Sequence, residues 1–138
     1  MKINKIFHKN RLYCYYFSLN KVEDGLTFLS NEDEFIQVGI WKYDKGKMLP
    51  AHYHKEFERS SYRTCESIHV IKGKVRCNLY TKSGKFIETF DLKENEVAVQ
   101  IYGTHEYEII EDAVVIENKN GPYFGIEKDR KRINVKKN

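Results

Sequence analysis

The stretch CESIHVIKGKVRCNLYT, residues 65–81, carries the clearest strand signal in the chain. On both sides of Gly73, apolar residues recur with a period of two, which belongs to strands and not to helices. Gly73 stands between Lys72 and Lys74. It predicts a tight hairpin turn joining one strand over 65–71 to another over 75–81. Alternation puts Glu66, Ile68 and Val70 on one face. Ile68 and Val70 are apolar, so that face is expected to point inward and to carry Glu66 with it. A buried carboxylate is costly unless it is paired, hydrogen-bonded or metal-bound. Glu66 therefore needs a partner.

The same short-period pattern runs outward in both directions. LYCYYFSL (12–19) is rich in strand formers. DGLTFLSNEDE (24–34) reads as a turn, a short strand and an acidic loop, and FIQVGIWKYD (35–44) as a strand. MLPAHYH (48–54) reads as another, with Pro50 at its start or on an edge. FIETFDL (86–92), VAVQIY (97–102), HEYEII (105–110) and AVVIEN (113–118) follow, with turns at KSGK (82–85) and NGPY (120–123). About eight strands within residues 35–118 predict an all-β, jelly-roll-like antiparallel barrel. Its interior has room for packed side chains or one small ligand. A single domain is expected over 1–138: an N-terminal arm with strands (1–34), a barrel core (35–118), and a C-terminal turn with a basic tail (119–138). The apolar strand 12–19 is expected to cap a sheet or to pair with a second subunit in a homodimer.

Composition bounds the function. With 41% apolar and 32% charged residues in 138, a folded domain is expected over a disordered chain. The net charge of +4 is concentrated in the tail KDRKRINVKK, which reads as solvated. No basic stripe interleaved with aromatics is visible, so a nucleic-acid partner is not expected. The mild positive charge suits a phosphate-bearing small ligand. Three cysteines without a CxxC pair, a polar N-terminus and no apolar run of about 20 residues predict a cytoplasmic protein with reduced thiols and no membrane span.

Four residues could converge inside such a barrel. His52 and His54 share a strand face, with Tyr53 opposite. His105, Tyr107 and Ile109 share another. Three imidazoles and Glu66 make a candidate site for a divalent metal such as Zn, Fe, Ni or Mn. The plainer alternative is a set of hydrogen-bonded histidines. A metal-free alternative makes His52 or His54 a general base, with Tyr107 assisting proton transfer. Arg59 and Arg63, between His54 and Glu66, are either a solvated loop or a lid whose guanidinium groups grip a phosphate or carboxylate. Cys77 reads as a small buried hydrophobe. His69 falls opposite Glu66 and reads as structural.

These residues resemble the metal-binding motifs of the cupins. Gly46, the spacer KMLPA and HYH (52–54) match the start of the first cupin motif, and Glu66, SIHVIK and Gly73 match its end. Eleven residues separate His54 from Glu66, where the motif has a short gap. The second motif is reduced to NEVAVQIYGTH (95–105), without its proline. The resemblance implies that His52, His54, Glu66 and His105 are the metal ligands. The chain is also similar to small single-domain cupins found with surface-polysaccharide and nucleotide-sugar genes. That implies a sugar or nucleotide-sugar ligand, isomerase or epimerase chemistry if the protein is catalytic, and a homodimer. The alternatives are a non-catalytic sugar-binding or sensing cupin and a metal-free nucleotide-sugar ketoisomerase working by histidine acid–base chemistry. Those ketoisomerases carry an arginine where this chain has Leu49. A metal-dependent dioxygenase is a further possibility within the superfamily.

Overall fold

In a computed structural model that describes residues 1–135, the regular structure of the chain is almost wholly antiparallel strand. They are β1 (Ile3–His8), β2 (Arg11–Ser18), β3 (Gly25–Phe28), β4 (Gly39–Lys42), β5 (Glu66–Tyr80), β6 (Phe86–Lys93), β7 (Glu96–Gln100) and β8 (Thr104–Lys119). One helical turn, α1 (Ile126–Asp129), follows. No helix among the described residues is long and apolar enough to cross a membrane.

β5 is the axis of the main sheet. Its second half pairs with β6, from Lys74 opposite Lys93 to Tyr80 opposite Phe86. Its first half pairs with β7, from Glu66 opposite Gln100 to Val70 opposite Glu96. β8 runs along the other edge for the full length, from Glu66 opposite Lys119 to Tyr80 opposite Thr104. β2 pairs with β7, and β1 closes that side. β3 and β4 form a separate two-stranded sheet.

Gly73 does not make the expected hairpin. The strand passes through it at φ +83°, and the ladder to β8 shifts register between Val70 and Lys72, Lys72 and Lys74, and Lys74 and Val75. The segments 105–110 and 113–118 likewise merge into one strand, β8. The reason is close backbone approach. A Cβ on Gly73 would run into the carbonyl of Asp112. A glycine inside a strand marks such an approach or a bulge, and a bulge bends the strand. The bend is large. Drawn straight, the 13 residue steps from Glu66 to Leu79 would span about 43 Å. Yet the Glu66 carboxylate lies 2.8 Å from the ring of His105, the residue paired with Leu79. The sheet therefore folds over, and its two halves face one another.

Between those halves lies the first core cluster, with Cys14, Ile68, Val70, Val75, Cys77, Leu79 and Leu92 shut off from solvent. Tyr16 stacks on Phe90 within it, with ring centroids 4.2 Å apart. A second cluster covers the opposite face of β2 and β7: Tyr15, Phe17, Val97 and Val99 lie under Ile36, Val38 and Ile40. Strands buried on both faces read as continuous apolar runs, which accounts for LYCYYFSL. Fully burying a large side chain contributes about 1.5–3 kcal/mol, so these two layers dominate the stability. Both edges of β2 are taken, by β1 and β7, so the expected subunit pairing through this strand is not available to it.

Two other expectations are corrected. Of FIQVGIWKYD, only Gly39–Lys42 is strand. MLPAHYH is not a strand: residues 43–65 form neither strand nor helix, and 43–62 are exposed throughout. Pro50 has no N–H to give a ladder, and no neighbouring strand pairs with the segment. The described residues form eight strands, but only β4 to β8 fall in the region where eight were expected, because two expected pairs merge and MLPAHYH is absent from the set.

Gly73→Ala should cost about 2–3 kcal/mol, because it combines a positive φ with a backbone clash. Urea unfolding should show a lower midpoint. A wild-type midpoint would mean that the bend does not depend on glycine.

Candidate functional site

Glu66 opens β5 and is 8% exposed. His105 and Tyr107 lie near the start of β8, where alternation turns both rings the same way. The fold brings these three together from opposite ends of the bent sheet. His105 Nε2 lies 2.8 Å from Glu66 Oε1, and Tyr107 donates its hydroxyl to the same oxygen at 3.2 Å. A carboxylate can only accept, so Nε2 carries the hydrogen. In the neutral ring Nδ1 is then the free acceptor. It is buried and has no hydrogen-bond partner among the described residues.

The electrostatics follow from burial. Desolvation pushes the Glu66 carboxyl up. The hydrogen bond and charge of His105, and the hydrogen bond from Tyr107, outweigh it and leave Glu66 below the usual glutamate value. Burial pushes the Tyr107 phenol well up, so it stays a protonated donor. Gly103, at φ +88°, makes the corner that delivers His105; a Cβ there would strike the ring of Tyr13 and the carbonyl of Tyr80.

The triad sits in a cleft of about 1060 Å³. Gln100 lines it beside Glu66, its backbone partner in the sheet. Gln100 Nε2 donates to the Tyr102 carbonyl at 2.6 Å, and its buried Oε1 has no partner among the described residues. One rim is tied by Asn120. Its Oδ1 accepts from the Cys65 amide at 2.7 Å, and its Nδ2 donates to Ser61 Oγ at 2.9 Å. The C-terminal segment 128–134 forms a further wall.

The expected site residues divide. Glu66, His105 and Tyr107 are brought together. His52 and His54 lie in the exposed 43–65 segment, their ring centroids 5.3 Å apart, and do not line the cleft. His52 Nδ1 lies 3.0 Å from the Pro50 carbonyl. Arg59 stacks over Phe57 at 3.7 Å, also outside the cleft. Arg63 lines the cleft but is engaged by Glu34 at 3.2 Å and by the ring of Phe35. Among the described residues no three His, Cys, Asp or Glu side chains converge, so the described arrangement does not itself form the four-ligand set. Gln100 and the basic C-terminal wall were missed by sequence reasoning. Gln100 leaves a signal, being the one polar residue between Val97 and Ile101. The wall leaves none, because its cations read as a solvated tail.

Tyr107→Phe removes one donor to Glu66. It should destabilise by about 1 kcal/mol and move the Glu66 titration upward in carbon-detected NMR. An unmoved titration would break the link between the two. Because the folded Glu66 pKa is depressed, its contribution to stability is complete above the unfolded value of about 4.3 and is lost as pH falls through the folded value. Between pH 5 and pH 3 the wild type should therefore lose more stability than Glu66→Gln; parallel curves would contradict this.

No family model, no characterised protein and no solved structure matches the chain in the comparisons made with each.

Proposed function

We propose that the cleft binds a small carbohydrate, free or as a nucleotide-sugar, and that Glu66, His105 and Tyr107 form its proton-handling centre, in a cupin-like barrel. The buried hydrogen bond between His105 Nε2 and Glu66 Oε1 carries this reading. A carboxylate behind one imidazole nitrogen fixes the tautomer, with the hydrogen on Nε2 and the lone pair on Nδ1. Nδ1 is then the atom that could take a proton from a ligand, once the ligand displaces the packing that covers it. Removing it from a hydroxyl-bearing carbon beside a carbonyl, and returning it to the former carbonyl carbon while the hydroxyl proton passes to the former carbonyl oxygen, moves the carbonyl; this is isomerase chemistry and needs no oxidant. Tyr107 holds the carboxylate in place, and the buried Oε1 of Gln100, beside it, is a second acceptor unpaired among the described residues.

The metal reading is second. Its support is His52: an Nδ1–H donated to the Pro50 carbonyl leaves Nε2 as a ligand atom, the usual arrangement in metal-binding histidines. It requires residues 43–65 to carry His52 and His54 to Glu66 and His105. A homodimer belongs to the same proposal, through a surface other than β2.

Incubation in heavy water with a panel of keto-sugar phosphates and nucleotide-sugars tests the first reading. Deuterium should enter beside the carbonyl, and His105→Ala should reduce the rate by about 100-fold or more at unchanged folding. Saturable binding without exchange would leave a sugar-binding module; neither binding nor exchange would end the proposal. Elemental analysis of untagged protein tests the second reading. Stoichiometric metal that disappears in His52→Ala would favour it over the first.

A further inference from the structure

The C-terminal segment reads as a solvated basic tail in the sequence, yet it is tied down. Thr64 donates to Asp129 at 2.6 Å. The Asn134 carbonyl and the Ile133 side chain lie within contact distance of a Cβ built on Gly84, in the turn between β5 and β6. That turn also carries Lys82. The result is one cleft lined by Arg63, Lys82, Lys128, Arg130, Lys131 and Arg132.

The carboxylates of the same cleft do not neutralise this wall. Glu66 is taken by His105, Glu117 by Lys119 at 2.6 Å, and Asp129 by Thr64 and, at 3.6 Å, by Arg130. Arg63 is held by Glu34. Lys82, Lys128, Lys131 and Arg132 make no ion pair with any described residue. Lys82 Nζ lies over the ring of Tyr102, 4.7 Å from its centroid. Like charges gathered along a cleft repel one another and concentrate an anion. Guanidinium and ammonium groups together suit phosphate oxygens, the first by paired hydrogen bonds and the second as a point charge.

We infer that the cleft takes its ligand by a phosphate or diphosphate group held by Lys82, Lys131 and Arg132, so that the C-terminal segment and not the Arg59–Arg63 loop is the anion grip. The inference rests on the proposed role of the cleft and names the part of the ligand that this wall recognises. The phosphate end lies along the wall, and the sugar end lies toward Glu66 and His105.

Isothermal titration with inorganic pyrophosphate tests it directly. The full chain should bind at one saturable site. Lys82→Ala and the double variant Lys131→Ala/Arg132→Ala should each weaken binding by about tenfold or more, the scale of a lost charge-assisted hydrogen bond. These side chains are exposed, so the variants should melt as the wild type does. Lys72→Ala, on the exposed side of the β5 bend, should bind normally. Absence of saturable binding, or an equal loss in Lys72→Ala, would overturn the inference. So would a labelled single-stranded oligoribonucleotide that binds more tightly than pyrophosphate and is lost in the same variants, because the wall would then serve a nucleic acid. The titration needs no turnover. Pyrophosphate binding without isotope exchange therefore removes only the acid–base reading. Exchange on an unphosphorylated sugar without pyrophosphate binding removes only the anion grip.

Discussion

The carboxylate of Glu66 and the ring of His105 can meet only if β5 bends, because their backbone positions lie at opposite ends of that strand. The bend is made where Gly73 adopts a conformation that other residues rarely take and the Asp112 carbonyl presses against it. β6 and β7 follow the same course along one edge of β5, and Asn95, at φ +62°, takes up the corner between them. β8 follows along the other edge. The first core cluster is the space this folding encloses. Core and site are thus products of a single curvature, and a change that flattens the sheet removes both.

A polar group at the edge of such a core is expensive unless it is satisfied. Glu66 meets that cost with two donors on one oxygen, both from β8. The pairing orients the imidazole at the same time. The packing that stabilises Glu66 therefore also fixes the ring of His105, and Tyr107 packs against the first core cluster, which holds Cys77 and Ile68. The buried charge is thus an orienting group as well as a structural one.

The strand content of the chain was legible from alternation alone, and so was the inward face of Glu66, Ile68 and Val70. The proximity of Tyr107 to the site was also within reach, since it follows His105 at strand spacing. Two things were not. A glycine between lysines has the same local signature whether the chain reverses or merely bends, and only the partner strand β8 decides which. The histidine pair in HYH shows a strand spacing, but spacing cannot supply a neighbour. Without a strand to pair with, residues 48–54 stay irregular and exposed. The basic wall was hidden for the converse reason. Lys82 and Arg132 lie far apart in sequence, and their segments meet where the Asn134 backbone and the Ile133 side chain approach Gly84.

The exposed course of residues 43–62 has a mechanical consequence. It divides the chain into an N-terminal piece with β1 to β4 and a C-terminal piece with β5 to β8. The two pieces are joined by the β2–β7 ladder and by the layer of Ile36, Val38 and Ile40 over Val97 and Val99. A protease cutting in this exposed stretch would sever the covalent link and leave that shared sheet in place. The nicked protein would hold together as a non-covalent complex of two fragments, and neither fragment alone would possess a complete second core.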